Sequence, residues 1–419
     1  LKAEVIAVGT ELLLGEIINS NAQYISTELS RIGIDVMYQT VVGDNEQRIA
    51  DEVARALGRS DVVIITGGLG PTHDDLTREA IARATGRQLD RRPELEQWLR
   101  ERFAAMGREM AENNLRQADQ PEGAVAIENP RGSAPGVDLA HDGKRIFAVP
   151  GVPVEMRGML SDHVIPELSG AAGEYTLLSR YLKVAGMGES DVAQRIKRVI
   201  DDLDRQHIVT IALLASAGEV RVRISAKARN EKEALELIGP TEERVRNELG
   251  VAVYGMDGDT IEGAAAGVLK GKGLKLAIAE SVTGGLVVSR MISIPGTSDF
   301  LDTGFVTYAI ESKIRQLGVD PKIIQEHGAV SQETAIAMAE GARRSAGSDV
   351  GLATTGEAGP EPAEAPVGTI FIALSWEEAS AHRKFIAPGD RDAIRRWASA
   401  GALNFLRLWA MGEVKPDPK

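Results

Sequence analysis

The 419-residue sequence contains no cysteine. That excludes a disulfide framework, a thiolate zinc centre and a cysteine nucleophile. It has no apolar run near the roughly 20 residues needed to span a bilayer, and its start shows no basic-then-apolar leader pattern. The chain is therefore expected to be soluble, to stay off membranes and to remain in the cytoplasm. Basic residues are in deficit: 48 Lys and Arg stand against 61 Asp and Glu, a formal net charge of −13. Such a balance opposes non-specific binding of nucleic acid, which depends on clustered cations neutralising phosphates. A small phosphorylated ligand is still admitted, because a few backbone amides and one or two arginines suffice locally. Histidine is scarce, with six in the chain. No unit of about 20–50 residues repeats, so solenoids and propellers are excluded.

What is present is globular: 43% hydrophobic and 26% charged residues, at a length that suggests about two to four domains. The first segment alternates strand and helix signals. Strands are expected at Ala3 to Val8, Val36 to Val42 and Asp61 to Ile65, with helices at Asn21 to Ile32 and Gln47 to Leu57. That alternation predicts a parallel sheet covered on both faces, with ligands beyond the carboxyl ends of its strands. Small residues from Ser169 to Gly173 read as a linker. A small α+β module follows, with a helix over Asp191 to Leu203, a strand over Glu219 to Ala226 and a charged helix over Glu231 to Leu249. The third segment returns to α/β patterning, with strands near Leu274 to Ala279, Phe300 to Tyr308, Val350 to Thr354 and Val367 to Leu374. An Ala-rich helix over Ile261 to Leu269 opens it and a long helix over Asp390 to Trp409 closes it. Domains are accordingly placed at 1–170, 176–255 and 258–415.

Three strand exits of the first segment carry polar, conformationally special residues. They are Gly9-Thr10-Glu11, Gly43-Asp44, and the run Gly67-Gly68-Leu69-Gly70-Pro71-Thr72-His73-Asp74-Asp75. Glycines there let backbone amides cradle a phosphate, and the following helix adds its positive end. Glu11, Asp44 and Asp75 would converge at one sheet edge. Acids facing a phosphate need a divalent cation between them, and hard oxygen ligands suit Mg²⁺ or a similar ion.

With Asn19-Ser20-Asn21 and Pro150-Gly151-Val152-Pro153-Val154-Glu155-Met156, these motifs resemble the molybdopterin-binding fold as it occurs in CinA (competence/damage-inducible) proteins. The resemblance implies an α/β sandwich that cleaves the pyrophosphate of ADP-ribose with a divalent metal (Mg, Co or Mn). By that resemblance Glu11, Asp44 and Asp75 would hold the metal, the two aspartates also orienting water. Thr10, Asn21, Gly67, Gly68, Gly70, Pro71 and Thr72 would bind substrate. The module at 176–255 resembles a KH-like fold, but no RNA-clamping Gly-x-x-Gly loop is evident. Arg221 and Arg223 read as a solvated or interface face.

In the last segment Glu280-Ser281-Val282-Thr283-Gly284-Gly285 sits where a strand enters a helix. A serine at such an exit is exposed, and the following amides can stabilise an oxyanion. The hydroxyl needs a base. Neither His327 nor His382 stands in a triad context, whereas a desolvated lysine can serve, and Lys313 is the candidate.

These residues, with Pro295-Gly296-Thr297-Ser298, His327-Gly328-Ala329-Val330-Ser331, Thr355-Gly356, Ala358-Gly359-Pro360 and Gly389-Asp390-Arg391, resemble the carboxy-terminal domain of CinA proteins. The resemblance implies a nicotinamide mononucleotide deamidase that needs no cofactor. Ser281 would be the nucleophile, Lys313 the base and Tyr308 a hydrogen-bonding partner. Thr283, Gly284, Gly285, Thr355, Gly356 and Arg391 would bind substrate, Arg391 at its phosphate. The chain departs from the family pattern at Val282, where a cysteine is usual. It departs again at Ala309-Ile310 and at Glu357 and Glu361, two acids expected to repel a phosphate.

The combined expectation is two α/β domains flanking a small α+β module, as a homodimer that acts on nicotinamide mononucleotide and ADP-ribose. Two rival expectations stand beside it. One is a non-catalytic partner in competence or DNA repair, and the other is a molybdopterin-binding protein, suggested by fold alone.

Overall fold

A computed structural model of the chain describes residues 1–105, 107–170, 176–203, 208–377 and 379–418. The expected linker at 169–173 falls mostly outside those residues. The chain divides into two compact units, one of residues 1–178 with 226–236 and one of 179–225 with 237–419.

In the first unit, β1 (Lys2–Val8), β2 (Asp35–Val42) and β3 (Val62–Thr66) are joined by the helices Ser20–Arg31 and Glu46–Leu57. Every residue of β3, and all of β1 after Lys2, is buried, because helices cover both faces of a parallel sheet. Two separate apolar cores fill those faces, one around Ile6, Val63 and Ile65, the other around Val5, Ile64 and Ile25. The sheet is completed by β4 (Val125–Ile127), β5 (Gly136–His141) and β6 (Lys144–Val149), in the order β2-β1-β3-β6-β5-β4.

The sheet is not wholly parallel, as the alternation had suggested. β6 pairs parallel with β3, but β5 pairs antiparallel with both β6 and β4. The reason is a two-residue hairpin: Asp142 and Gly143 both have positive φ, 48° and 76°. Asp-Gly supplies that conformation at little cost and reverses the chain at once, with no room for a crossover helix.

Register sets the carboxyl ends of β1, β2 and β3 side by side: Ala7 pairs with Val41 on one side and Thr66 on the other. The three glycine-bearing exits therefore meet. Gly67 sits at φ 105°, and a Cβ there would stand 2.2 Å from the Val8 carbonyl oxygen. Gly67→Ala is expected to destabilise the chain by roughly 2–4 kcal/mol, read in scanning calorimetry as an earlier transition. An unchanged transition would contradict that close approach.

Four strands form the middle sheet: β7 (Thr176–Ala185), β8 (Val209–Ser216), β9 (Glu219–Ala228) and β10 (Val253–Met256), in the order β8-β9-β7-β10. The single helix expected over Asp191 to Leu203 is two, Glu189–Arg195 and Lys197–Leu203, because Ile196 between them leaves helical geometry at ψ 9°.

The last sheet contains β11 (Leu276–Glu280), β12 (Leu301–Val306), β13 (Val350–Gly356), β14 (Thr369–Trp376) and β15 (Ala379–Ile386), ordered β12-β11-β13-β14-β15. β11 is buried along its whole length and runs parallel to β12 and β13. At the edge, β12 alternates between half-buried and exposed residues. Helices Ile261–Lys272, Leu286–Ile292 and Arg391–Met411 cover one face, and Gln332–Ala346 covers the other. Among the described residues no helix is long and apolar enough to cross a membrane.

Candidate functional site

The register of the last sheet assembles its site. Glu280 pairs with Val306 on one side and with Thr354 on the other. The ladder runs one step further, since Thr307 N donates to the Glu280 carbonyl at 2.8 Å and Ser281 N donates to the Thr354 carbonyl at 3.0 Å. Ser281 thus emerges between the ends of β12 and β13. The chain after β12 turns into the helix Ile310–Leu317, whose first turn carries Lys313 back beneath the serine.

Ser281 and Lys313, 32 positions apart, meet there. Lys313 Nζ lies 3.0 Å from Ser281 Oγ, 2.8 Å from the Thr307 carbonyl oxygen and 3.0 Å from the Tyr308 carbonyl oxygen. The lysine is 1% exposed and the serine 8%. Burial pushes the lysine pKa down from 10.5 to about 8, against a smaller opposing pull from the Glu364 carboxylate. A carbonyl oxygen can only accept a hydrogen bond. In the neutral amine, both N–H bonds go to Thr307 and Tyr308, and the remaining lone pair faces the serine hydroxyl. The two carbonyls thereby orient the amine.

Three amides that could have served an oxyanion are already taken. The buried Glu280 carboxylate accepts from Gly285 N at 2.9 Å, Val287 N at 3.1 Å and Val288 N at 2.8 Å, which fills the start of the helix Leu286–Ile292. Among the described residues the amides of Val282 and Thr283, which follow Ser281 in the chain, take no such partner. Sequence reading passed over Glu280. The available signal was a carboxylate at the last position of an otherwise apolar strand, immediately before a turn into a helix.

The other expected residues divide. Tyr308 uses its carbonyl on Lys313, while its side chain is 67% exposed and accepts a hydrogen bond from Arg391 at 3.1 Å. Arg391 also donates to the Gly359 carbonyl at 2.7 Å, and among the described residues it has no carboxylate partner. Gly284 and Gly285 form the turn after the serine. Thr283 and Thr355 turn inward: Thr283 Oγ1 meets Thr354 Oγ1 at 2.7 Å, and Thr355 Oγ1 donates to the Ala329 carbonyl at 2.8 Å. Gly356 packs against β14, where a Cβ would stand 2.5 Å from the Thr369 carbonyl oxygen.

The acids of the neighbouring loop are partly spent on local backbone. Glu357 accepts from the amides of Gly359, Ala363 and Glu364, and Glu364 accepts from Ala329 N and Val330 N at 2.6 and 3.1 Å. Glu361 lies exposed on the same loop.

A second site lies in the first unit, at the carboxyl ends of β1, β2 and β3. A cavity of about 420 Å³ is lined by Glu11, Asp44, Gly67, Gly68, Gly70, Pro71, Thr72 and Asp75, together with Asp74, Gln117, Ser133 and Glu155. Of the residues expected there, Thr10 and Asn21 stand behind it. Thr10 N donates to Asp44 Oδ2 at 2.8 Å, and its hydroxyl accepts from Asp44 N at 3.3 Å. Asn21 Nδ2 donates to Thr66 Oγ1 at 3.0 Å and to the Gly151 carbonyl at 2.8 Å, tying β3 to the loop after β6. Asp75 Oδ2 accepts from Thr72 N at 2.8 Å and from the Thr72 hydroxyl.

The acids thus share one cavity, with Asp75 engaged by its own loop and Asp44 by the neighbouring exit of β1. Among the described residues no three Asp, Glu or His side chains are grouped as a metal-ion site. Behind the loop, the fully buried Arg78 donates to the carbonyls of Leu69 at 2.9 Å and Pro135 at 3.1 Å, and burial pushes its pKa down to about 10. Arg78, Gln117 and Ser133 were not picked out in sequence, and Glu155 entered only within the Pro150 to Met156 motif. They lie on other elements, and only the tertiary fold brings them to the glycine run.

Three family models match successive parts of the chain. Residues 258–409 match the CinA C-terminal domain, residues 4–170 a "probable molybdopterin binding domain", and residues 179–255 the damage-inducible protein CinA KH domain. The chain is similar to a CinA-like protein of Frankia casuarinae, 46% identical over 98% of this chain and 97% of that one. It is also similar to a protein named as competence-damage inducible from Acetivibrio thermocellus, 42% identical over 98% of this chain and 99% of that one. Among solved structures it is similar to the protein CinA, of unknown function, from Thermoplasma acidophilum. That match has a TM-score of 0.37 and 36% identity, and covers 38% of this chain and 94% of the other.

Proposed function

The chain belongs to the CinA family, and from that membership and the site geometry we propose that it is a pyridine-nucleotide salvage hydrolase. Its carboxy-terminal domain would convert nicotinamide mononucleotide and water into nicotinate mononucleotide and ammonia. The observation that carries this reading is the 3.0 Å contact between Lys313 Nζ and Ser281 Oγ.

The chemistry follows from that contact. Neutral Lys313 takes the hydroxyl proton as Ser281 Oγ attacks the carboxamide carbon. The carbonyl oxygen becomes an oxyanion facing the amides of Val282 and Thr283. The lysine ammonium then gives its proton to the departing nitrogen, which leaves as ammonia, and an ester to Ser281 remains. Water deprotonated by the same lysine attacks the ester, and Ser281 recovers its proton as the carboxylate leaves. Among the described residues Arg391 has no carboxylate partner, and it would hold the phosphate of the mononucleotide.

Glu364 supplies a test with a signed outcome. Its carboxylate favours the ammonium form of Lys313. In Glu364→Gln that pull disappears, while an amide oxygen remains to accept from Ala329 N and Val330 N. The rising limb of the pH profile should move to lower pH, and the rate at pH 7 should increase roughly 2–5-fold. A shift to higher pH would remove Glu364 from the electrostatics of the base.

In the amino-terminal domain we propose cleavage of the ADP-ribose pyrophosphate, with the glycine run 67–70 supplying amides to the diphosphate. The cavity is lined by carboxylates, so a diphosphate entering it would bring a divalent cation (Mg²⁺, Mn²⁺ or Co²⁺) as its counter-ion. AMP release from ADP-ribose, measured with each ion and with chelator, tests this. No release under any condition would remove that half of the reading.

A further inference from the structure

Gln117 lies in the short helix Glu112–Ala118 and is fully buried, yet neither Nε2 nor Oε1 of its carboxamide has a partner among the described residues. Its neighbours in that helix are engaged. Arg116 donates to the carbonyls of Thr72 and Asp75 and pairs with Glu79 at 2.7 Å, and Asn113 donates to the Pro71 carbonyl at 3.4 Å. These bonds brace the helix against the glycine loop, and Gln117 lines the same cavity as that loop.

Burying a carboxamide without partners is unfavourable, and an apolar side chain of similar size would avoid the cost. A partner that arrives with a ligand accounts for it. The carboxamide offers one donor direction beside one acceptor. Its complement is a ring edge with an acceptor beside a donor, the pairing by which glutamine reads adenine. The other polar side chains of the cavity are mainly carboxylates, which accept only, so this pairing falls to Gln117 rather than to them.

We propose that Gln117 reads the heterocyclic ring of the molecule held in the amino-terminal cavity, through paired hydrogen bonds to an edge carrying an adjacent donor and acceptor. This rests on reading the cavity as a site for a base-bearing ligand. The adenine of ADP-ribose and the lactam edge of a pterin share that chemistry.

Calorimetric titration of the full chain with ADP-ribose, 6-hydroxymethylpterin and inorganic pyrophosphate tests it, using Gln117→Leu and Gln117→Met beside the parent. Binding of the base-bearing ligand should weaken roughly 10–100-fold in both variants, and pyrophosphate binding should not change. The unliganded variants should melt at or above the parent temperature, because each loses two unpaired polar atoms. Equal weakening of pyrophosphate, a lower melting temperature in both variants, or unchanged binding of the base-bearing ligand would overturn the proposal. So would a parent that binds neither ring. If the loss falls on the pterin and the parent ignores ADP-ribose, the pyrophosphatase reading fails while the role of Gln117 stands. If ADP-ribose is cleaved equally by parent and variants, that reading stands and this inference falls.

Discussion

Ser281→Ala is expected to abolish ammonia release from nicotinamide mononucleotide, with kcat falling at least ~10³-fold. The loss should lie in kcat rather than KM, because the hydroxyl is needed for bond formation and contributes little to ground-state binding. Thr283, two positions on, has its hydroxyl buried against Thr354. Neither histidine of the domain approaches the serine: His327 is half exposed at a helix end, and His382 pairs with Asp417 on β15 at 2.6 Å. Cleavage of ADP-ribose should be untouched. A variant that keeps a tenth or more of the parent ammonia release would remove Ser281 as nucleophile and the amidase mechanism with it.

Lys313→Met should lower kcat/KM about 10²–10⁴-fold, the range for loss of a general base. The parent carries a further signature. With a pKa of about 8, roughly a tenth of the lysine is neutral at pH 7, so kcat/KM should rise about tenfold from pH 6 to pH 7 and level off above pH 8. The variant should lose that limb.

Stability must follow the same titration. Below pH 8 the lysine is protonated whether folded or unfolded, and folding bears the whole cost of burying the charge. Between about 8 and 10.5 the unfolded chain holds the extra proton, so stability rises with pH, by up to roughly 3 kcal/mol. Chemical denaturation of parent and Lys313→Met across that window checks the sign. A parent whose stability does not rise there more than the variant's would mean that Lys313 is not desolvated.

Much of this site could be read from the sequence, and the reasons are local. A strand that ends in Gly67-Gly68 or in Ser281-Val282-Thr283-Gly284-Gly285 announces an exit where backbone is exposed. Such exits sit at one sheet edge whenever the strands are parallel. Lys313 was legible only as a candidate, because its burial depends on how the helix Ile310–Leu317 returns beneath β11.

The inward turn of Thr283, Thr355 and Asn21 could not be read, since a polar residue in a motif shows its position but not its direction. Gln117 and Arg78 left no signal either: each is set by contacts with segments distant in sequence. The hairpin at Asp142-Gly143 is different. Its two-residue signature was there to be used, and strand–helix alternation elsewhere in the domain outweighed it.

The Glu280 carboxylate has one more implication. By occupying the positive end of the helix behind the nucleophile, the protein supplies that helix with an anion of its own. On the proposed reading, a mononucleotide would anchor its charged tail elsewhere, on the Arg391 side, which would leave the neutral carboxamide to enter the serine's pocket. The strand's terminal acid would thereby fix the polarity of entry, head first and tail out.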